Sequence, residues 1–400
     1  MPFKVAISGL RASQTELNVI GNNVANVGTT GFKSSRAEFE DVYTLSNLGV
    51  AANSPGRGVN TSRIAQQFTQ GNITFTDNNL DLAVSGQGFF MVDDAGTTMY
   101  TREGAFSVDR EGFVVNANNQ RLIIFGADNA GNILGSTQQF QVDTSSIPPA
   151  ATETIDLDLN FNAEDEIIGV PFDPTVPATY NESTSTTVYD SLGGAHLMQN
   201  YYVKTAANTW DAFTYVDGVQ VSGPDTLTFG TDGQLTGATS ATSGPFVADP
   251  AAAPMNLTID WAGSTHFGGS FDVNSLVQNG YPAGRLGGID IDSDGIIFAR
   301  FSNGQSQVQG QVALANFSNP QGLNPTGGNN WAATFAAGDP VVGAPGSSSL
   351  GLVQSGALED SNVDLSEELV NLIIAQRNFQ ANTEVISTAD AVTQAVINIR

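Results

Sequence analysis

Apolar residues fall at helical spacing near both ends of the chain and at strand spacing between them. From about residue 5 to residue 27 there is no proline, and Leu10, Leu17 and Val24 recur every seven residues. Ile20 and Val27 fill intermediate positions, so the steps of three and four predict one amphipathic helix. It is expected to stop near Asn26, Val27 and Gly28, where glycine accepts the left-handed cap conformation. The last forty residues, 361–400, predict a second and longer helix with no proline. Asp364 with Glu367 has capping-box character, and Glu368 adds first-turn negative charge that suits the helix dipole. About 34 helical residues at 1.5 Å each would span about 50 Å. Leu365, Leu369, Leu372 and Phe379 form one apolar stripe; Val385, Ala389, Val392, Val396 and Ile399 form another, out of phase with it. Ile373, Ile374, Ile386 and Ile397 spread apolar surface further round the helix.

Between the helices the texture is β. Residues 80–115 read as short strands divided by turns: Leu82 to Val84, Phe89 to Val92 and Phe106 to Val108, with turns at Asp94-Ala95-Gly96 and Asp109 to Gly112. The same texture returns at 288–315, with Asp294-Gly295 and Asn303-Gly304 as hairpin turns. Residues 145–284 differ, holding sixteen acidic residues against Lys204 alone and a cluster of prolines from Pro148 to Pro177. The expected fold is mainly β with long terminal α-helices, in a nested order. Residues 1–31 with 361–400 form a helical assembly domain, and 32–79 with 344–360 connect it to the rest. Residues 80–144 with 285–343 form a β-rich body, into which 145–284 is inserted as an outer β domain. Both termini then emerge from one place, where the helices can pair.

Charge and composition narrow the function. The 400 residues carry a formal net charge of −26. Such a chain repels phosphate backbones and anionic lipid, which argues against nucleic acid and membrane surfaces as partners. Cysteine is absent and there are 2 histidines, which excludes thiol chemistry, disulfides and His-cluster metal sites. No run of 18 apolar residues is present, so no membrane-spanning helix and no membrane insertion are expected. Arg11, Gln14 and Glu16 cut short the apolar stretch that a signal peptide would need.

Candidate chemistry is sparse. The stretch Gly28-Thr29-Thr30-Gly31-Phe32-Lys33-Ser34 has the wrong spacing for a phosphate loop and follows a helix instead of a strand. Asp290, Asp292 and Asp294 match the first half of a calcium loop, but the twelfth position is Phe301, so a hairpin turn is the better reading. His196 and His266 sit beside glycines with no nucleophile elbow and read as surface or turn histidines. Paired carboxylates have no specificity in so acidic a chain. No catalytic, cofactor or metal residue is assigned.

The terminal helices are where function is expected. Two paired helices bury one stripe each, and the second helix has more apolar surface than one partner of 23 residues covers. Two readings stand: self-assembly of many copies, or an intramolecular two-helix stalk. The candidate assembly residues are Leu10, Leu17, Ile20, Val24, Val27, Leu365, Leu369, Leu372, Phe379, Ile386, Val392 and Val396. An adhesion or binding module in the acidic insert is the alternative from a different class.

Several segments resemble one family. Ser8 to Gln14 (SGLRASQ), followed by Asn22-Asn23-Val24-Ala25-Asn26-Val27-Gly28-Thr29-Thr30-Gly31-Phe32-Lys33, resembles the N-terminal signature of bacterial flagellar rod and hook proteins. Leu80 to Phe90 (LDLAVSGQGFF), Tyr100 to Phe106 (YTREGAF) and Glu367 to Asn382 resemble, in the same order, its first body domain and C-terminal helix. The family motif residues are Asn22, Asn23, Asn26, Gly28, Gly31 and Phe32. The insertion of about 140 residues, and the likeness of residues 286–305, place the chain with the hook-type members in preference to the shorter rod proteins or the hook-associated ones. The resemblance implies a homo-oligomer: many identical subunits in a curved, flexible tube, a universal joint passing torque from rod to filament. It also implies contacts with rod, hook cap and hook–filament junction proteins, and export by the flagellar type III apparatus to the cell exterior without a cleaved signal.

Overall fold

The computed structural model describes residues 2–42, 56–128, 130–247 and 252–398. Met1, residues 43–55 of the expected connector, Ile399, Arg400 and the Val396 side chain lie outside the described residues. The chain divides into two compact units.

The first unit comprises residues 1–143, 288–300 and 306–400. It opens with helix α1, Pro2–Ala25, and closes with α2, Leu365–Asn398. Between them run β1 (Ser35–Asp41), β2 (Val59–Gln66), β3 (Ile73–Phe75), β4 (Leu82–Ser85), β5 (Phe89–Asp94) and β6 (Thr97–Thr101), followed by later strands. The β5–β6 turn places Ala95 and Gly96 at positive φ, as a tight hairpin demands. Strand β5 pairs β6 on one side and Arg121–Ala127 on the other, and Ser306–Val312 continues the sheet. Its core is aromatic: Phe68, Phe89 and Trp331 meet with centroids 5.4 to 5.6 Å apart, and Tyr100 stands edge-on to Phe317 at 4.7 Å. Edge-to-face packing suits rings that fill a core left shallow by small residues such as Ala313 and Ala315.

The connector stretches carry strand pairing. Strands β1 and β2 form an antiparallel hairpin stem, β3 pairs Ala357–Glu359, and β4 pairs Leu352–Ser355.

The second unit comprises residues 144–287 and 301–305. Thr154–Asn162 alternates strictly, burying Ile155, Leu157, Leu159 and Phe161. It pairs Thr258–Asp260 and Thr265–Phe267 in parallel and Asp272–Gln278 antiparallel. An antiparallel meander of Glu182–Tyr189, Ala195–Ala206, Thr209–Val216 and Val219–Thr228 supplies the other half of the core, with Met198, Tyr202 and Trp210 fully buried. Period-two burial on both sheets leaves the carboxylates to the opposite faces, so the acidity does not prevent a core.

Candidate assembly surface

The two helices pack antiparallel. Near the end of α1, Asn23 donates from Nδ2 to Glu368 Oε1, in the first turn of α2, at 2.8 Å. Fourteen residues away along each helix, Gly9 lies against Asn382, so close that a β-carbon on Gly9 would stand 2.5 Å from Asn382 Oδ1. On that register the start of α1 lies level with about Ala389, and residues 390–398 run on past it. The covered seam of α2 is Leu372, Ala375, Phe379, Asn382, Ile386 and Ala389, in alternating steps of three and four. Facing it and the β1–β2 stem, α1 buries Ala6, Ala12, Ser13, Val19, Ile20 and Asn23.

The heptad read from the sequence is therefore rotated on α1. Ile20 is buried, but Leu10, Leu17 and Val24 flank the contact half-buried, and Val27 is exposed beyond the helix end. Small residues occupy the centre because they let the backbones approach, and the larger side chains move to the rim. On α2, Leu372, Phe379 and Ile386 lie on the seam, whereas Leu365, Leu369 and Val392 are exposed. Exposed beside them are Val370, Ile373, Ile374, Val385 and Ile397. An intramolecular pair is thus present, and it leaves Val385 and Val392 of the second apolar stripe exposed. Asp364 caps α2 with its Oδ1 accepting from Ser366 N at 2.8 Å and Glu367 N at 3.2 Å.

The motif residues serve the exit from α1. Asn26 Nδ2 donates to Asn22 O at 2.9 Å and to its Oδ1 at 3.0 Å, closing the last turn. Asn23 holds Ser35 in both directions, donating to its O at 2.8 Å and accepting from its N at 2.9 Å. The left-handed residue is Gly31, at φ 67°, and not Gly28, because further turns follow Ala25 before the chain reverses. A β-carbon on Gly31 would stand 2.5 Å from Glu103 N, so no side chain fits. Gly28 has open space around it, and Phe32 is half-buried.

Below this lies a buried charge cluster that the sequence pattern did not single out. Glu359 Oε1 accepts from Lys33 Nζ at 2.6 Å and from Gly71 N at 2.8 Å, while Oε2 accepts from Arg102 Nη1 at 3.0 Å. The Lys33 and Glu359 side chains are 0% exposed and that of Arg102 is 4% exposed. Both cations donate further to carbonyls, Lys33 Nζ to Thr69 O at 2.8 Å and Arg102 Nη2 to Gly86 O at 2.7 Å. Burial draws both cations below their ordinary pKa ranges, against the opposing pull of Glu359. One rung nearer α2, Asn362 accepts from Ser34 N at 2.7 Å and donates to Gln67 O at 2.8 Å.

The remaining candidate residues have structural partners. Asp292 Oδ1 accepts from Asp294 N at 3.0 Å and Ile296 N at 2.8 Å, which makes the calcium-like stretch a hairpin turn. Asp290 pairs with Arg300 and accepts from Asn79 Nδ2. His266 is not a surface residue: it is buried and stacked on Phe229 at 5.2 Å, because its alternating strand points it inward. His196 Nδ1 lies 2.7 Å from Asp217 Oδ2 and Nε2 lies 3.4 Å from Asp190 Oδ2. Among the described residues no helix is long and apolar enough to cross a membrane.

Four family models match in chain order. They are "Flagella basal body rod protein" at residues 3–33, "Flagellar hook protein FlgE/F/G D1 domain" at 83–156, "Flagellar basal body protein FlaE D2 domain" at 156–281 and "Flagellar basal body rod FlgEFG protein C-terminal" at 354–399. The flagellar hook protein FlgE of Escherichia coli is 36% identical over 413 residues, covering 100% of both chains. The chain belongs to the flagellar hook protein FlgE family. The FlgE of Salmonella typhimurium is 37% identical over 412 residues, again across 100% of each, and that of Borreliella burgdorferi is 31% identical over 435 residues, across 98% of each. The crystal structure of Helicobacter pylori flagellar hook protein FlgE2 matches with a TM-score of 0.54 at 13% identity, over 72% of this chain and 100% of that one, which speaks for the fold. Asn23, Gly31 and Lys33 lie within the first matched segment, Arg102 in the second, and Glu359 and Asn362 in the last.

Proposed function

We propose that this chain is the structural subunit of a bacterial flagellar hook, polymerising through its terminal helices into a curved tube that passes torque from rod to filament. The observation that carries this reading is the uncovered apolar surface of α2, including residues 390–398, which run past the reach of α1. A helix so exposed is not an economical end state for a monomer, and neighbouring subunits supply the missing partners. The assembly residues are Leu10, Leu17 and Val24 on α1, Val27 just past its end, and Leu365, Leu369, Val392 and Val396 on α2, with Ile20, Leu372, Phe379 and Ile386 holding the pair together. The role is structural and not catalytic.

Finer parts of the reading follow from family membership. The tube joins rod, hook cap and hook–filament junction proteins, and the subunit reaches the cell exterior through the flagellar type III apparatus without a cleaved signal. A cysteine-free chain suits threading through a narrow channel, since no disulfide has to be opened. The acidic insert keeps neighbouring tubes from bundling. Sedimentation under mildly precipitating salt tests the assembly: the full chain pellets as polymer, and Ile373→Asp stays in the supernatant with an unchanged melting temperature. Equal pelleting of both would overturn the role given to this face.

A further inference from the structure

The helix pair joins the β body through only two stretches of backbone, residues 26–34 leaving α1 and residues 360–364 entering α2. Two single strands of chain transmit twist poorly, because each φ and ψ can turn. Between these crossings the structure places three polar rungs. Asn23 binds Ser35 and Glu368; Asn362 binds Ser34 and Gln67; Glu359 binds Lys33, Gly71 and Arg102. The backbone joins in, with Gly31 N donating to Glu359 O at 2.7 Å.

We infer that the Lys33–Glu359–Arg102 cluster, with Asn362, is a torsional lock that fixes the helix pair in rotation relative to the body, so that torque crosses the base of the helices without slip. Three features point this way. The cluster ties the outgoing crossing (Lys33) and the body (Arg102) to the carboxylate of Glu359, the last strand residue before the incoming crossing. Its groups are wholly or almost wholly buried, where ion pairs contribute little net stability relative to apolar side chains but hold one geometry against alternatives, since any slip strands a charge without water. Every member of it is also held by directional bonds, with Lys33 and Arg102 donating further to the carbonyls of Thr69 and Gly86. Apolar packing at this place would let the crossings slide; charged, directional contacts do not. These are positioning residues, and the inference rests on the hook reading for its purpose.

The test uses Lys33→Met, which leaves the Arg102–Glu359 pair charge-balanced, and Asn362→Ala. Spin labels on cysteines introduced at Gln376 on α2 and Thr97 on the body, both exposed in a cysteine-free chain, report the helix–body distance distribution. The lock predicts a narrow distribution in the parent and one at least about twofold wider in each variant, with larger rotational fluctuation of beads held on assembled tubes. A purely stabilising role would lower the unfolding midpoint and leave the width unchanged, and that result overturns the inference. If Lys33→Met does not fold, a chain carrying Lys33→Met, Arg102→Met and Glu359→Leu, with no buried charge, takes its place; failure of both to fold also overturns the lock, because the cluster would then be a condition of folding. Distance widths are read on the monomer, so a parent chain that forms no tubes counts against the hook reading alone.

Discussion

Gly9 of α1 and Asn382 of α2 touch where any β-carbon on the glycine would stand 2.5 Å from the amide oxygen. The missing side chain of Gly9 is what leaves room for Asn382 there. Gly9→Ala asks only for a rotation of the Asn382 side chain, and the gain in helix propensity of about 1 kcal/mol offsets it. Gly9→Leu instead drives the helices apart, at a cost of roughly 1–3 kcal/mol. Amide hydrogen exchange in α1 should be unchanged by the first substitution and faster with the second; equal protection in both would contradict the close packing.

Glu359 carries the only carboxylate bonded to Lys33 and Arg102 among the described residues. Glu359→Gln leaves two buried cations without a counter-charge and should cost about 3–5 kcal/mol, the range for breaking a buried pair by removing one partner. Lys33→Met should cost less, since a matched pair remains. Urea unfolding of the two variants checks the order, and a smaller loss for the glutamine variant would contradict it.

The two histidines should act on stability in opposite directions. Desolvation pulls His196 down, but hydrogen bonds and charge from Asp217 and Asp190 together outweigh it and hold its pKa above the ordinary value of 6.5. Its contribution is present in full below the unfolded value and is lost as pH rises through the higher folded one. Burial lowers the pKa of His266, so the native state resists its protonation and stability falls as pH drops below 6.5. His196→Gln should therefore destabilise more at pH about 5 than at pH about 8, and His266→Phe should reduce the loss of stability in acid. Imidazole resonances followed by NMR titration check both directions; midpoints in the reverse order would refute the assignment.

Much of this fold was legible in the residues because period and punctuation agree. The 34 residues of α2, its Asp364 cap and the strictly alternating strand Thr154–Asn162 follow from local pattern. The face by which the helices meet did not, because Gly9, Ala12 and Ser13 carry no hydrophobic signal and closeness of approach is a tertiary fact. The stripe of Leu10, Leu17 and Val24 marked the helix, and these residues lie half-buried beside its contact with α2. The charge cluster was hidden for a related reason: Lys33 and Glu359 are 326 residues apart, and no local pattern pairs them. His266 was misplaced because its neighbouring glycines suggested a turn, whereas a three-residue strand turns its ring into the core.

The central claim is that α2 is held on one side by α1 and finished by other copies of the chain. Electron microscopy of the purified full chain and of a chain ending at Ala389, in mildly precipitating salt, tests it most directly. The account predicts tubes from the full chain and none from the shortened one, with matching melting curves, since residues 390–398 lie past the reach of α1. Tubes of the same kind from both would contradict it.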